Sequence, residues 1–184
     1  MRRLSTRSTI PTAILICLAC LAVVATAQTP AWKIYEFPND GFKASYPSSP
    51  DLQRKTVQTS AGEFELRSYT AQLGDTALIV GICDYGAAVA GKSSDQMLLG
   101  AKNSMLSNSA SRLISEKNIT LGNNPGVQFE AENSATRTIA RMYMVGTTLY
   151  ESLVVSPISK RSDQTEQFLD SFQLVNRTKH IPEN

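Results

Sequence analysis

The chain has 184 residues, with 18 Lys or Arg against 16 Asp or Glu, one histidine and three cysteines. Arg2, Arg3 and Arg7 precede Ala27 and no acid does, so the 157 residues after it carry a net charge of −1. That length suits one domain. Its scattered charges supply no basic patch for nucleic acid, and Cys83 with His180 is too small a set for an internal disulfide or a four-ligand zinc site.

Residues 1–27 read as a signal peptide. Three arginines lead into an unbroken apolar run, Ala13 to Val24, and Ala25-Thr26-Ala27 supplies a small-x-small cleavage pattern. The run is shorter than the roughly 20 apolar residues of a membrane span, so no transmembrane segment is expected after cleavage. Cys20 follows Cys17-Leu18-Ala19, which lacks the aliphatic residue three places before a lipidated cysteine. Cleavage before Gln28 is therefore expected over lipidation, with a periplasmic or extracellular destination.

Trp32 to Phe37 has a strand pattern, closed by the turn Pro38-Asn39-Asp40-Gly41. Phe42 to Tyr46 alternates apolar and polar residues. Leu52 to Thr59, Glu63 to Gln72 and Thr76 to Asp84 follow, separated by Ala61-Gly62 and Gly74-Asp75. Such short connections predict hairpins and an antiparallel sheet. From Ser94 the apolar spacing becomes helical through Met97, Leu98, Ala101, Met105 and Leu106, with Ser93 or Ser94 as N-cap and an end near 107–109. Strands resume at Arg112 to Leu121. A turn over 122–126 leads to Val127 to Glu132, Thr136 to Val145 and Thr148 to Ser156. A final helix is expected from Ser162 or Asp163 to Ser171, opened by a capping box between Asp163 and Glu166 and docked by Phe168, Leu169 and Phe172. Residues 176–184 are polar and expected to fray. Strands, helix, strands, helix is the pattern of an α+β domain, here over 28–175. Broken alternation in Thr136 to Val145 predicts cover on parts of both sheet faces.

Three segments together resemble the PsbP-like superfamily: Gly41-Phe42-Lys43-Ala44-Ser45-Tyr46-Pro47; Pro125-Gly126 with the later Arg141-Met142-Tyr143-Met144-Val145-Gly146-Thr147-Thr148-Leu149-Tyr150; and Phe168-Leu169-Asp170-Ser171-Phe172-Gln173-Leu174. That superfamily includes a Ran-binding nuclear-import factor and many small exported bacterial proteins. The resemblance spans Trp32 to Val175. It implies an antiparallel sheet sandwiched by helices (an α/β/α sandwich) and non-catalytic accessory or binding roles. It brings no catalytic residues with it, and no photosystem-binding segment is matched.

The candidate chemistry is sparse. His180 lies four residues from the C-terminus, where nothing positions an imidazole for a triad. Cys83, beside Asp84 and among Ile79, Val80 and Ile82, reads as a core residue rather than a nucleophile. Glu63 and Glu65 share one strand face, as do Glu130 and Glu132. Pairs two apart stand roughly 7 Å from each other, within the range glycosidases use. Arg137 and Arg141 on the next strand are expected to pair with Glu130 and Glu132 instead. Gly86-x-x-x-x-Gly91-Lys92-Ser93 satisfies the literal P-loop pattern, but hairpins do not build the parallel sheet that a P-loop needs. No catalytic, cofactor or metal residue is assigned. The leading expectation is an exported, non-enzymatic binding domain acting through a protein or envelope component. Two alternatives stay open: a hydrolase using Glu130 and Glu132, and a small-ligand carrier with an apolar pocket beneath the Met97 to Leu106 helix.

Overall fold

The computed structural model describes residues 31–59, 62–160 and 163–178. The expected signal peptide, Cys20, Ser162 and His180 lie outside them. Among the described residues nine strands and two α-helices form in the expected order, with a 3-10 turn at Gly86–Val89 and a tenth short strand at the end.

Strands β1 (Lys33–Phe37) and β2 (Phe42–Tyr46) make a hairpin. Gly41, at its turn, has φ +75°, and a side chain there would meet Arg177 Cγ at 2.6 Å. Strands β3 (Asp51–Thr59), β4 (Gly62–Leu73) and β5 (Thr76–Asp84) follow as two further hairpins. Helix α1 (Ser94–Asn108) then carries the chain to the far edge of the sheet, and β6 (Arg112–Leu121), β7 (Asn124–Glu132), β8 (Thr136–Val145) and β9 (Thr148–Pro157) return strand by strand. Strand β9 closes against β5, giving the order β3-β4-β5-β9-β8-β7-β6, antiparallel throughout. Helix α2 (Thr165–Ser171) leads into β10 (Gln173–Leu174), which pairs with β2 and completes a separate three-stranded sheet, β1-β2-β10.

Three expectations need correction. The turn before β7 is tighter than 122–126, because β7 begins at Asn124. Strand β8 pairs only from Gly126 onward, so Pro125 leaves no ladder bond unmet on that side. The Asp163–Glu166 capping box does not form: Gln164 is the N-cap, without a side-chain bond. Glu166 instead reaches Arg141 at 2.8 Å, an ion pair that competes with the capping contact. Finally, β10 was not foreseen. Two residues carry no periodicity, and Phe172 ends α2 in extended backbone that runs straight into β10, which pairs with β2.

The large sheet has two differently covered faces. On one, the small sheet and α2 bury Leu78, Val80 and Ile82 under an aromatic cluster. Phe172 stacks on Phe42 (5.9 Å between centroids) and Tyr143 (6.0 Å), and Phe168 meets Tyr46 edge-on at 5.2 Å. On the other, Val127, Phe129, Ala140, Met142 and Met144 pack beneath α1. Helix α1 rests over β7 and β8, so the β4-β5-β9 half of this face is left beside the helix rather than under it. The expectation of cover on both faces of the sheet is met.

Candidate functional site

The uncovered half-face is the floor of a cleft of about 820 Å³. One wall is α1, presenting Met97, Ala101 and Met105. The tip of β3, at Val57 and Gln58, forms the other. The helix is fixed at its start by a capping box: the Ser93 hydroxyl accepts from the Gln96 amide (3.2 Å), and the Ser93 amide donates to Gln96 Oε1 (3.1 Å). This is where the Gly86–Ser93 motif ends. Its serine caps a helix, and the strand before it belongs to an antiparallel sheet.

Cleft floor residues come from strand alternation. Leu66 and Ser68 on β4, Ile79, Gly81 and Cys83 on β5, and Leu149, Glu151 and Leu153 on β9 all point the same way. One row across the strands reads Ser68, Gly81, Glu151, Met142, Val127. Glu151 therefore sits at the centre of the sheet with its carboxylate over Gly81. A Cβ on Gly81 would stand 3.0 Å from Glu151 Oε2, so the missing side chain is what gives the carboxylate room.

Glu151 is only 9% exposed, and its carboxylate makes no hydrogen bond or ion pair among the described residues. Burial disfavours the charged form and pushes its pKa up to about 7. Burial likewise pushes the Cys83 thiol up to about 11, with Glu151 and Asp84 adding to the rise against the lowering effect of Tyr85 and Arg67. Cys83 is thus the buried, unactivated thiol that its neighbours in sequence indicate. Tyr85 is raised as well, mainly by burial.

The carboxylates singled out in the sequence lie elsewhere. Glu132 and Glu130 both bind Arg137, at 2.6 and 3.2 Å. Arg141 departs from expectation: it bonds Gln128 (2.9 Å) on β7 and then Glu166 and Asp170 on α2 (2.8 and 2.6 Å). The helix brings two acids over β8, and Arg141 joins helix to sheet. Glu65 is tied to Arg54 (2.8 Å) and Arg67 (3.4 Å). Glu65, Glu130 and Glu132 are thus ion-paired, Glu63 is exposed near the start of β4, and none of the four lines the cleft.

Two buried carboxylates escaped the sequence reading. One is Glu151. The other is Asp40, which the turn pattern hid: Arg67 Nε donates to it at 2.7 Å and the Tyr69 hydroxyl donates to its second oxygen. The signal for Glu151 was available as an acid alone in the apolar run Leu149-Tyr150-Glu151-Ser152-Leu153-Val154.

No family model and no curated protein matches the chain. Among solved structures it is similar to the solution structure of cyanobacterial PsbP (CyanoP) from Synechocystis sp. PCC 6803, with a TM-score of 0.54 over 84% of this chain and 98% of that one. The fold is PsbP-like. Sequence identity is 12%, so the likeness carries the PsbP-like architecture and nothing about side chains. The antiparallel sheet between helices that the resemblance implied is what the chain forms. No helix among the described residues is long and apolar enough to cross a membrane.

Proposed function

We propose that this chain is an exported, non-catalytic binding domain whose cleft between α1 and the sheet takes a small, largely apolar ligand. The observation that carries this reading is the cleft itself. Its volume of about 820 Å³ falls within the roughly 300–1,000 Å³ of small-molecule sites, and apolar side chains make up most of its floor. Acid–base or nucleophilic chemistry would call for a second positioned group. Beside Glu151 stand Cys83 and Tyr85, both held in their neutral forms by burial.

An environment-sensitive apolar fluorophore tests this directly. The wild-type protein should bind it with a blue-shifted emission. Ala101→Trp, which fills the cleft from the helix side, should abolish the signal while the melting temperature holds. Equal binding by both proteins, or none by the wild type, would overturn the reading. A second reading, contact with a protein or envelope component, is favoured by Leu113 and Ile114, adjacent and 36% and 40% exposed at the register shift in β6. Replacing both with serine should then reduce capture of an envelope partner without altering fluorophore binding.

A further inference from the structure

The cleft combines an apolar floor with a carboxylate that the protein leaves unmatched. We propose that its ligand is a protonated amine on an apolar body, and that Glu151 selects it by accepting the ammonium hydrogen bonds that no described side chain supplies. The proposal rests on the reading of the cleft as a ligand site and names the class of ligand.

Geometry is the first argument. Glu151 lies in the middle of the central strand β9, on the cleft floor, nine-tenths buried. Gly81 on one side has no side chain, and Met142 on the other is apolar. The carboxylate is thus held over a gap, with free acceptor positions on the cleft side. A buried carboxylate without a partner is costly, and an ammonium brought by a ligand removes that cost through charge-assisted hydrogen bonds.

Among the described residues no cation is paired with Glu151. Arg67, on the neighbouring strand β4, points to the opposite face, where Asp40 and Glu65 hold it. Lys92 lines the cleft from the segment before α1. It is exposed and makes no ion pair among the described residues. The other ionisable groups facing Glu151 are the Cys83 thiol and the Tyr85 hydroxyl from the β5 side. The lining residues of β3, β4 and α1 are apolar or neutral. A bound ammonium would set its nitrogen at Glu151 with its alkyl part against Met97 and Met105.

The acid's raised pKa supplies a signature. Free Glu151 titrates near pH 7, and a bound cation stabilises its charged form. Affinity for an amine, itself protonated throughout, should fall by about 30-fold from pH 8 to pH 5.5 as the free carboxylate takes up its proton. Binding at pH 6 should release roughly one proton per ligand.

The experiment is calorimetric titration of the folded protein with n-decylammonium, n-decanol and n-decanoate at micromolar concentration, at pH 5.5, 6 and 8. Measurements in buffers of different ionisation enthalpy count the protons. At pH 8 the amine should bind at least about tenfold tighter than the alcohol. It should weaken as the pH falls and release its proton at pH 6, whereas the alcohol should show neither effect. Glu151→Gln should erase the preference and leave the alcohol's affinity in place. Equal affinities for amine and alcohol in the wild type, a preference that survives Glu151→Gln, or tightest binding of decanoate at pH 8 would overturn the amine proposal while the apolar cleft stands. Binding of none of the three would overturn both. Proton release is measured on the wild type, so the test does not depend on the variant's folding.

Discussion

The two faces of the seven-stranded sheet each bury a carboxylate and treat it in opposite ways. On the face closed by the small sheet and α2, Asp40 is met by Arg67 and Tyr69, while its backbone carbonyl accepts from the Tyr150 hydroxyl at 2.8 Å. Phe42, Tyr46, Phe168 and Phe172 pack around that network. On the face half-covered by α1, Glu151 has neither a basic partner nor a hydrogen bond among the described residues, and empty space stands beside it. A satisfied network inside dense aromatic packing rigidifies a fold. An acid buried at the edge of a cavity without a protein partner is kept at a cost in stability, which is the expected mark of a functional position.

Mutations can break or sharpen this contrast. The largest effect should come from Phe172→Ala on the closed face. Its ring touches those of Phe42, Tyr143 and Tyr150, and truncating a buried phenylalanine costs about 3–5 kcal/mol, read as a fall in the urea midpoint. Asp40→Asn should follow at about 2 kcal/mol, because Arg67 loses its short charge-assisted bond to Asp40 and keeps only the longer, more exposed contact with Glu65. A small effect of either substitution would mean that the closed face is not the stabilising one.

Glu151→Gln should act with the opposite sign. Burial raises the folded-state pKa of Glu151 from 4.5 to about 7, so the native protein binds more protons than the unfolded chain between those values. Stability falls as pH rises through that window. Removing the charge should stabilise the protein by up to about 3 kcal/mol at pH 8 and by little at pH 4, measured as a difference in melting temperature that grows with pH. A pH-independent difference would show that Glu151 has a partner in solution. The smallest change belongs to Arg54→Ala. Its pair with Glu65 is exposed on both sides (55% and 48%), and such a pair should contribute no more than about 0.5 kcal/mol in a chemical-denaturation comparison.

What the sequence made legible divides along the same line. Strands β2, β5, β6 and β8 fall on their expected residues, because turns with glycine or asparagine bracket clear runs. Helix α1 follows from its apolar spacing and from Ser93. Phe168 and Phe172 dock as expected, since helical spacing places both on one side. The cleft was foreseen only as a possibility beneath α1. Periodicity tells which residues face the helix, but not that the helix lies over β7 and β8 and leaves β4, β5 and β9 beside it. In sequence Asp40 has only the signature of a turn residue, because its partners Arg67 and Tyr69 come from a strand nearly thirty residues away. Arg141 pairs with Glu166 and Asp170 rather than with the acids of the neighbouring strand for the same reason. Local pairing is visible in sequence, whereas the arrival of α2 is a tertiary event.

Gly81 and Glu151 are seventy positions apart in the chain and directly opposed in the sheet. The pair is therefore a two-letter code that becomes readable once strand register is known. Any other residue at position 81 would place its first carbon about 3.0 Å from the carboxylate oxygen, which would then have to shift by a few tenths of an ångström, so the acid at position 151 keeps this placement most readily opposite a glycine. At 12% identity, structural likeness alone says nothing about which PsbP-like sequences share this pair. A glycine facing a lone acid across the two central strands would sort those that keep an ionisable group in the sheet from those whose centre is filled with hydrocarbon.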